Sequence, residues 1–356
     1  ESSFEVITRP VMVDPTPVVN PGGWGERFYF SVNLTDEDYD NVDVNLYARK
    51  YGETEWGQPK NSTSTDTAIG TILNLSWSDS YCPNIGIWEF YFESSDNRTP
   101  SLTNDTGPVN FTIESDDVYL LYEQGDDVYI WRNGSDSFSL VMRIWDNDTN
   151  DYAGSGINAS FWVTTNDSLS TWDVGKYEVS NASSHITYEF TTEAPQAECD
   201  YDVGPHYWKV GVGGLNDDYC YKTINSSDFT VFLNTSMVLE MYEPYGQGIM
   251  WGTPLQVVSY IDDDCDPVEN VTVQWEFSKG QNSWVRNQNP ANQSQGWYNY
   301  TWTETERNVG YYNLTMLADK EYYGPNQTLK EDAFFIALAP DILDSGIDKQ
   351  LGGWGE

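Results

Sequence analysis

The chain has 356 residues, too many for one hydrophobic core, and this length predicts two or three domains. Asp and Glu number 56 against 17 Lys and Arg, a formal charge of −39 that excludes a nucleic-acid binder, since phosphates require a basic footprint. Aromatic residues make up 15% of the chain and supply enough apolar surface to offset ordering entropy, which excludes an acidic disordered tail.

In chain order, the first predicted unit opens with Trp24-Gly25 and a strand from Phe28 to Leu34. An acidic loop follows (Asp36-Glu37-Asp38-Tyr39-Asp40), the next strand ends near Trp56, Gly86-Ile87-Trp88 leads an aromatic strand, and Val109 to Ile113 closes the unit. The second unit repeats the order with Trp131 in the opening place. It continues with Phe138 to Ile144, the loop Asp146-Asn147-Asp148, Trp172, the strand Gly204-Pro205-His206-Tyr207-Trp208, and Phe229 to Leu233. The third runs Trp251-Gly252, Leu255 to Ile261, Asp262-Asp263-Asp264-Cys265-Asp266, Trp284, Gly310-Tyr311-Tyr312, and Phe334 to Leu338. About seven short strands in about 110 residues, separated by turn residues, is the pattern of an immunoglobulin-like sandwich. The fold class expected is therefore all-β, three tandem Ig-like β-sandwich domains in an elongated array.

A longer period encloses these three units. Gly22-Gly23-Trp24-Gly25-Glu26 recurs as Gly352-Gly353-Trp354-Gly355-Glu356, and the same shift of 330 superposes Phe4 on Phe334 and Pro10 on Pro340. The expected division is 1–7 as the last strand of a preceding domain, 8–115, 116–233 and 234–339 as three domains, and 340–356 as the start of a following one. On this reading the chain is an out-of-phase slice of a longer array. No charged and apolar leader follows Glu1, so a signal peptide is expected to have been removed or to lie outside this piece. No run of about 18 apolar residues is present, and no direct membrane insertion is expected.

Asparagine carries the strongest compositional signal. Of 28 Asn, 18 stand in N-x-S/T, whereas the Ser and Thr content predicts about five by chance. They are Asn33, Asn61, Asn74, Asn97, Asn104, Asn110, Asn133, Asn147, Asn158, Asn166, Asn181, Asn225, Asn234, Asn270, Asn292, Asn299, Asn313 and Asn326. This enrichment reads as N-glycosylation during export, with covalent N-glycans and an extracellular or cell-surface location. Strand phase agrees with it. Asn33, Asn74, Asn110, Asn299 and Asn313 alternate with apolar neighbours, and Asn270 shares the polar phase of the run Val271 to Phe277.

Four cysteines in an exported chain read as two disulfides. Cys82 and Cys199 occupy equivalent loops before the Gly-led strands, at the C-terminal poles of their domains. Cys220 and Cys265 fall in loops at N-terminal poles. Domains strung end to end bring these poles together, so the expected pairs are Cys82–Cys220 and Cys199–Cys265, both across junctions. The rival, Cys199–Cys220 within one domain, leaves Cys82 and Cys265 two domains apart.

The same poles collect carboxylates. Asp36, Asp38, Asp40, Asp146, Asp148, Asp217, Asp218, Asp262, Asp263, Asp264 and Asp266 are candidate ligands for Ca²⁺ at the junctions, although none follows an EF-hand spacing. The other reading is a set of solvated acidic turns. No further cofactor is required. His185 and His206 are the only histidines, no nucleophile motif or phosphate loop is present, and no enzyme is expected.

The Gly-Gly-Trp-Gly-Glu-led repeat, the sequon density and the acidic balance resemble the tandem immunoglobulin-like arrays of archaeal cell-surface and S-layer-type glycoproteins. No family-defining motif is matched, and the Trp-Asp-rich signature of polycystic-kidney-disease domains is absent. The resemblance implies a structural segment of a surface layer, sheath or fibre that associates with copies of itself or other surface proteins. The competing reading is an adhesin stalk or carbohydrate-binding module whose aromatics, such as Trp56, Trp172 and Trp284, stack on sugars.

Overall fold

The apolar alternation of the sequence is gathered into three separate cores, each between two β-sheets. The computed structural model describes residues 7–38, 41–66, 70–78, 84–132, 136–147, 149–192, 199–213, 221–263, 265–288, 295–303 and 308–338. The first unit contains β1 (Val11–Pro17), β2 (Gly22–Gly23), β3 (Arg27–Thr35), β4 (Asn41–Lys50), β5 (Asn61–Asp66), β6 (Thr71–Ser78), β7 (Gly86–Asp96), β8 (Thr103–Asp105) and β9 (Val109–Glu114). The second contains β10 (Val118–Gln124), β11 (Val128–Trp131), β12 (Ser137–Asp146), β13 (Asp151–Tyr152), β14 (Asn158–Val163), β15 (Lys176–Val179), β16 (His185–Thr191), β17 (Gly204–Val212), β18 (Ile224–Asn225) and β19 (Phe229–Ser236). The third contains β20 (Val238–Glu243), β21 (Gln247–Met250), β22 (Leu255–Asp262), β23 (Thr272–Lys279), β24 (Asn282–Gln288), β25 (Trp297–Trp302), β26 (Gly310–Asp319), β27 (Tyr323–Gly324) and β28 (Asn326–Ala337).

The three units share one topology. A sheet ordered β1-β3-β6 faces one ordered β2-β9-β7-β4-β5; the same plan gives β10-β12-β16 against β11-β19-β17-β14-β15, and β20-β22-β25 against β21-β28-β26-β23-β24. In each unit the chain first pairs antiparallel in one sheet, then crosses over. Its second segment, β2, β11 or β21, runs parallel to the last strand, β9, β19 or β28. This strand order and crossover define an immunoglobulin-like sandwich, and the chain is an all-β tandem array of three.

Side-chain alternation explains each core. In β3, Phe28, Phe30, Val32 and Leu34 point inward, and Phe30 packs on Phe90 at 4.6 Å and Phe111 at 5.0 Å. Burying each such ring contributes about 1.5–3 kcal/mol. Trp208 and Trp275 sit fully buried in the second and third cores. The Trp208 indole donates to Gly125 O at 2.6 Å, and Gly125 must stay a glycine because a Cβ there would lie 2.8 Å from Leu140 and 2.9 Å from the Trp208 ring.

The Gly-led strands prove equivalent in detail. Gly86, Gly204 and Gly310 open β7, β17 and β26 with φ of 136°, 127° and 132°, a region that favours glycine. Two residues on, Trp88, His206 and Tyr312 each reach back to the carbonyl of the residue four earlier. The contacts are Trp88 Nε1 to Asn84 O at 2.6 Å, His206 Nε2 to Asp202 O at 2.7 Å, and Tyr312 Oη to Asn308 O at 2.7 Å. Three different side chains thus perform the corner-fixing role that a tyrosine fills in immunoglobulin domains. His206 is fully buried, and its Nδ1 lies 2.6 Å from Thr164 O, so its place is architectural.

Candidate functional site: the domain junctions

The inward phase of the third strand of each sandwich, β3, β12 or β22, ends on an aspartate. Phe28 to Leu34 leads to Asp36, Leu140 to Ile144 leads to Asp146, and Leu255 to Ile261 leads to Asp263; all three aspartates are buried. Each faces a different environment. Asp36 accepts the Thr8 hydroxyl at 3.1 Å, and Asp38 accepts the Thr8 amide at 2.8 Å with Arg98 Nη2 at 3.8 Å. Burial, and then the neighbouring Asp38, raise the Asp36 pKa, whereas the Thr8 amide lowers that of Asp38. Asp146 accepts the Thr149 amide at 2.9 Å. Asp263 is matched by a cation from the preceding domain.

That cation is Arg132. Its Nη2 lies 2.8 Å from Asp263 Oδ2, with only 4% of either side chain exposed, and its Nη1 donates to Tyr201 O at 3.0 Å. The Tyr323 hydroxyl donates to the same Oδ2 at 3.2 Å, while Oδ1 accepts the amides of Cys265 and Asp266 at 3.2 and 3.0 Å. Burial, and then the Asp263 carboxylate, push the Tyr323 hydroxyl pKa well above its ordinary value. Around this pair, β19 of the second domain continues into parallel pairing with β27 of the third, Thr235 with Tyr323 and Ser236 with Gly324. Cys199 and Cys265 form a disulfide across the same junction, with Cα atoms 5.5 Å apart.

The first junction uses equivalent positions. Trp24 follows β2 as Arg132 follows β11: the Trp24 amide donates to Glu114 O at 2.8 Å and the Arg132 amide to Asn234 O at 2.7 Å. Trp251 holds the same place in the third domain, donating to Ala337 O. The expected match of Trp24 with Trp131 is therefore off by one residue; Trp131 lies on the outer face one position earlier. The Trp24 ring meets Tyr221 of the second domain edge-on at 5.7 Å. Lys222 donates its amide to Asp116 O at 2.9 Å, and its ammonium lies 3.2 Å from Glu114 and 3.0 Å from Asp117. The hydrogen bond that the Lys222 ammonium donates to the Asp117 carboxylate is the largest cause of its raised pKa.

Cys82, Cys220, Asp40, Asp148, Asp217, Asp218, Asp264, Asn133 and Asn292 lie outside the described residues. Asp262 is half-buried and Asp266 exposed. Among the described residues, no group of three or more His, Cys, Asp or Glu side chains is arranged to hold a metal ion. The Asp263 carboxylate faces the Arg132 guanidinium.

Asn74, Asn97, Asn110, Asn147, Asn181, Asn225, Asn270 and Asn326 are exposed; Asn33, Asn61, Asn104, Asn158, Asn166, Asn234, Asn299 and Asn313 are half-buried. Asn104 and Asn326 occupy equivalent hairpin positions and clasp the chain ahead of the first strand, donating Nδ2 to Pro10 O at 2.9 Å and Met237 O at 2.6 Å. Asn61 donates to Ser76 O at 2.7 Å. Trp56, Trp172 and Trp284 are half-buried. Arg49 covers the Trp56 ring at 4.0 Å, Lys209 covers Trp172 at 3.9 Å, and Trp284 packs on Tyr312 at 5.7 Å.

No family model matches the sequence, and no curated protein does. Among solved structures, the chain is similar to a three-Ig fragment of titin, I67–I69, at 10% identity and a TM-score of 0.41, covering 94% of this chain and 100% of that one. It is also similar to a structure from a bacterial ice-binding adhesin (11% identity, TM-score 0.31, 88% and 92% covered) and to the ICAM-5 D1–D4 ectodomain fragment (13%, 0.35, 91% and 74%). The fold assignment rests on the strand order above. Among the described residues, no helix is long and apolar enough to cross a membrane.

Proposed function

We propose that this chain is a stiff, N-glycosylated structural segment of an extracellular surface layer, sheath or fibre, of the S-layer type found on archaeal cells. The observation that carries the reading is the second junction, where a buried ion pair, a disulfide and a shared β-ladder join two sandwiches. Such a joint resists bending and transmits load, and a disulfide belongs to an oxidising compartment. Sequon enrichment and the solvent phase of the strand-borne asparagines support export and glycosylation. The half-buried, cation-covered Trp56 and Trp172 weigh against a row of sugar-stacking tryptophans and favour the structural role over the carbohydrate-binding one. No residue of the chain is assigned to catalysis.

Electron microscopy of native cells, with antibody against this segment, tests the proposal. An ordered lattice or filament decorated at regular spacing is the expected result. Label scattered on isolated stalks, together with binding of the purified array to a glycan panel, contradicts it.

A further inference from the structure

We infer that the glycan on Asn234 is received by an aromatic cleft of this same chain and wedges the junction between the second and third domains. The outer face of β11 and β19 sets the geometry. Val231 and Leu233 point into the core, so Phe232 and Asn234 point out, beside their register partners Tyr129 and Trp131. Tyr129 stacks on Phe232 at 4.5 Å, and Phe232 stacks on Tyr322 of the third domain at 5.8 Å with a 9° interplanar angle. Tyr129, Trp131, Asn234, Glu321, Tyr322 and Gly324 border a cleft of about 340 Å³. That is the lower end of the range for small-ligand sites, about 300–1,000 Å³, and gives room for the first sugars of a glycan rather than a long chain.

Two observations, with the chemistry of sugars, select a tethered sugar as the occupant. Asn234-Thr235-Ser236 is a sequon whose carboxamide forms no hydrogen bond to a described residue, whereas Asn61, Asn104 and Asn326 use Nδ2 to hold backbone carbonyls. The apolar C–H faces of a pyranose fit flat aromatic rings, and Trp and Tyr offer such faces at a wet boundary. Trp131 is 38% and Tyr129 60% exposed, open to that contact. Tethering at the cleft also gives the sugar a high effective concentration without any affinity for free ligand. In the attachment step, Asn234 Nδ2 bonds to the anomeric carbon of a lipid-linked oligosaccharide. The bond from that carbon to the lipid phosphate breaks, and the amide loses one proton. The first junction has no counterpart, because Glu114 stands at the position of Asn234 and pairs with Lys222.

The inference rests on the proposed export and glycosylation, and the test separates the two. The full chain is produced in an N-glycosylating secretory host, glycopeptides are mapped, and hydrogen exchange of segment 320–325 is compared among wild type, Asn234→Gln, Asn110→Gln and Trp131→Ala. The expected result is an occupied Asn234. Exchange should be about two- to tenfold faster in Asn234→Gln, the range that one aromatic contact supports, and unchanged in Asn110→Gln. In a Trp131→Ala background, loss of the glycan should have no further effect. An empty Asn234 while Asn74 and Asn110 are occupied overturns the inference alone, as does exchange indifferent to Asn234→Gln. Empty sequons throughout overturn the export reading with it.

Discussion

At the first junction the residue after the crossover strand is Trp24, and at the second it is Arg132; the tyrosines they approach, Tyr221 and Tyr323, are likewise equivalent. The first pair is an edge-on aromatic contact flanked by Lys222, whose side chain is 41% exposed. The second is an ion pair removed from water beside a two-residue parallel ladder, where the first has a single parallel bridge between Asp116 and Tyr221. The lesson is that one topology offers a fixed pair of facing positions, and the residues placed there decide how a joint responds to its surroundings. A buried pair whose partner is removed leaves an uncompensated charge, whereas exposed pairs contribute little and are screened.

The largest effect is expected from Asp263→Ala, which strands Arg132 in the second junction and removes the acceptor of Tyr323. Denaturant unfolding should report a loss of about 3–5 kcal/mol. A loss below 1 kcal/mol would show that the second junction is no more demanding than the first. Next comes opening of Cys199–Cys265 by paired serine substitution. The bond closes 66 residues of sequence, and its removal should cost about 2–4 kcal/mol, read as a lower midpoint for the second and third domains together.

Lys222→Ala should cost less than about 1 kcal/mol, and the difference should vanish in high salt, where exposed charges are screened within a few ångströms. The Arg132–Asp263 pair should keep its effect in the same salt. The pH response has one sign at both joints. The raised pKa of Lys222 favours its charged form in the folded chain, and that of Tyr323 favours its neutral form. Both contributions are fully present below the unfolded values, 10.5 for Lys222 and 10.0 for Tyr323, and are lost as pH rises through the higher folded ones. A midpoint that falls in alkali and not between pH 6 and 9 is the expected profile.

Much of the sandwich was readable in the sequence because it depends on local rules. Alternation in Phe28 to Leu34 and Val271 to Phe277 set the faces, and Gly86, Gly204 and Gly310 marked positions where φ must be positive. The junction chemistry was not readable in the same way. Arg132 stands beside Trp131, and the tryptophan drew the alignment although the backbone hydrogen bond to Asn234 belongs to the arginine. The period of two puts Asp263, not Asp262, in phase with Leu255 to Ile261, but it does not show that this phase ends at an interface with another domain's guanidinium. The three-dimensional docking of two poles decides that.

The most direct test compares two amides in the intact chain, one at each junction: that of Thr235 donates from the second domain to the third, and that of Lys222 to the segment joining the first domain to the second. Thr235 N–H donates to Tyr322 O at 3.1 Å in the second, and Lys222 N–H donates to Asp116 O at 2.9 Å in the first. Native-state hydrogen exchange should protect Thr235 to the level of the neighbouring core strand β19 and at least about tenfold more than Lys222. Equal protection of the two, or a Thr235 amide that exchanges as freely as an exposed loop, would contradict the claim that the buried Arg132–Asp263 pair makes the second junction the stiff one.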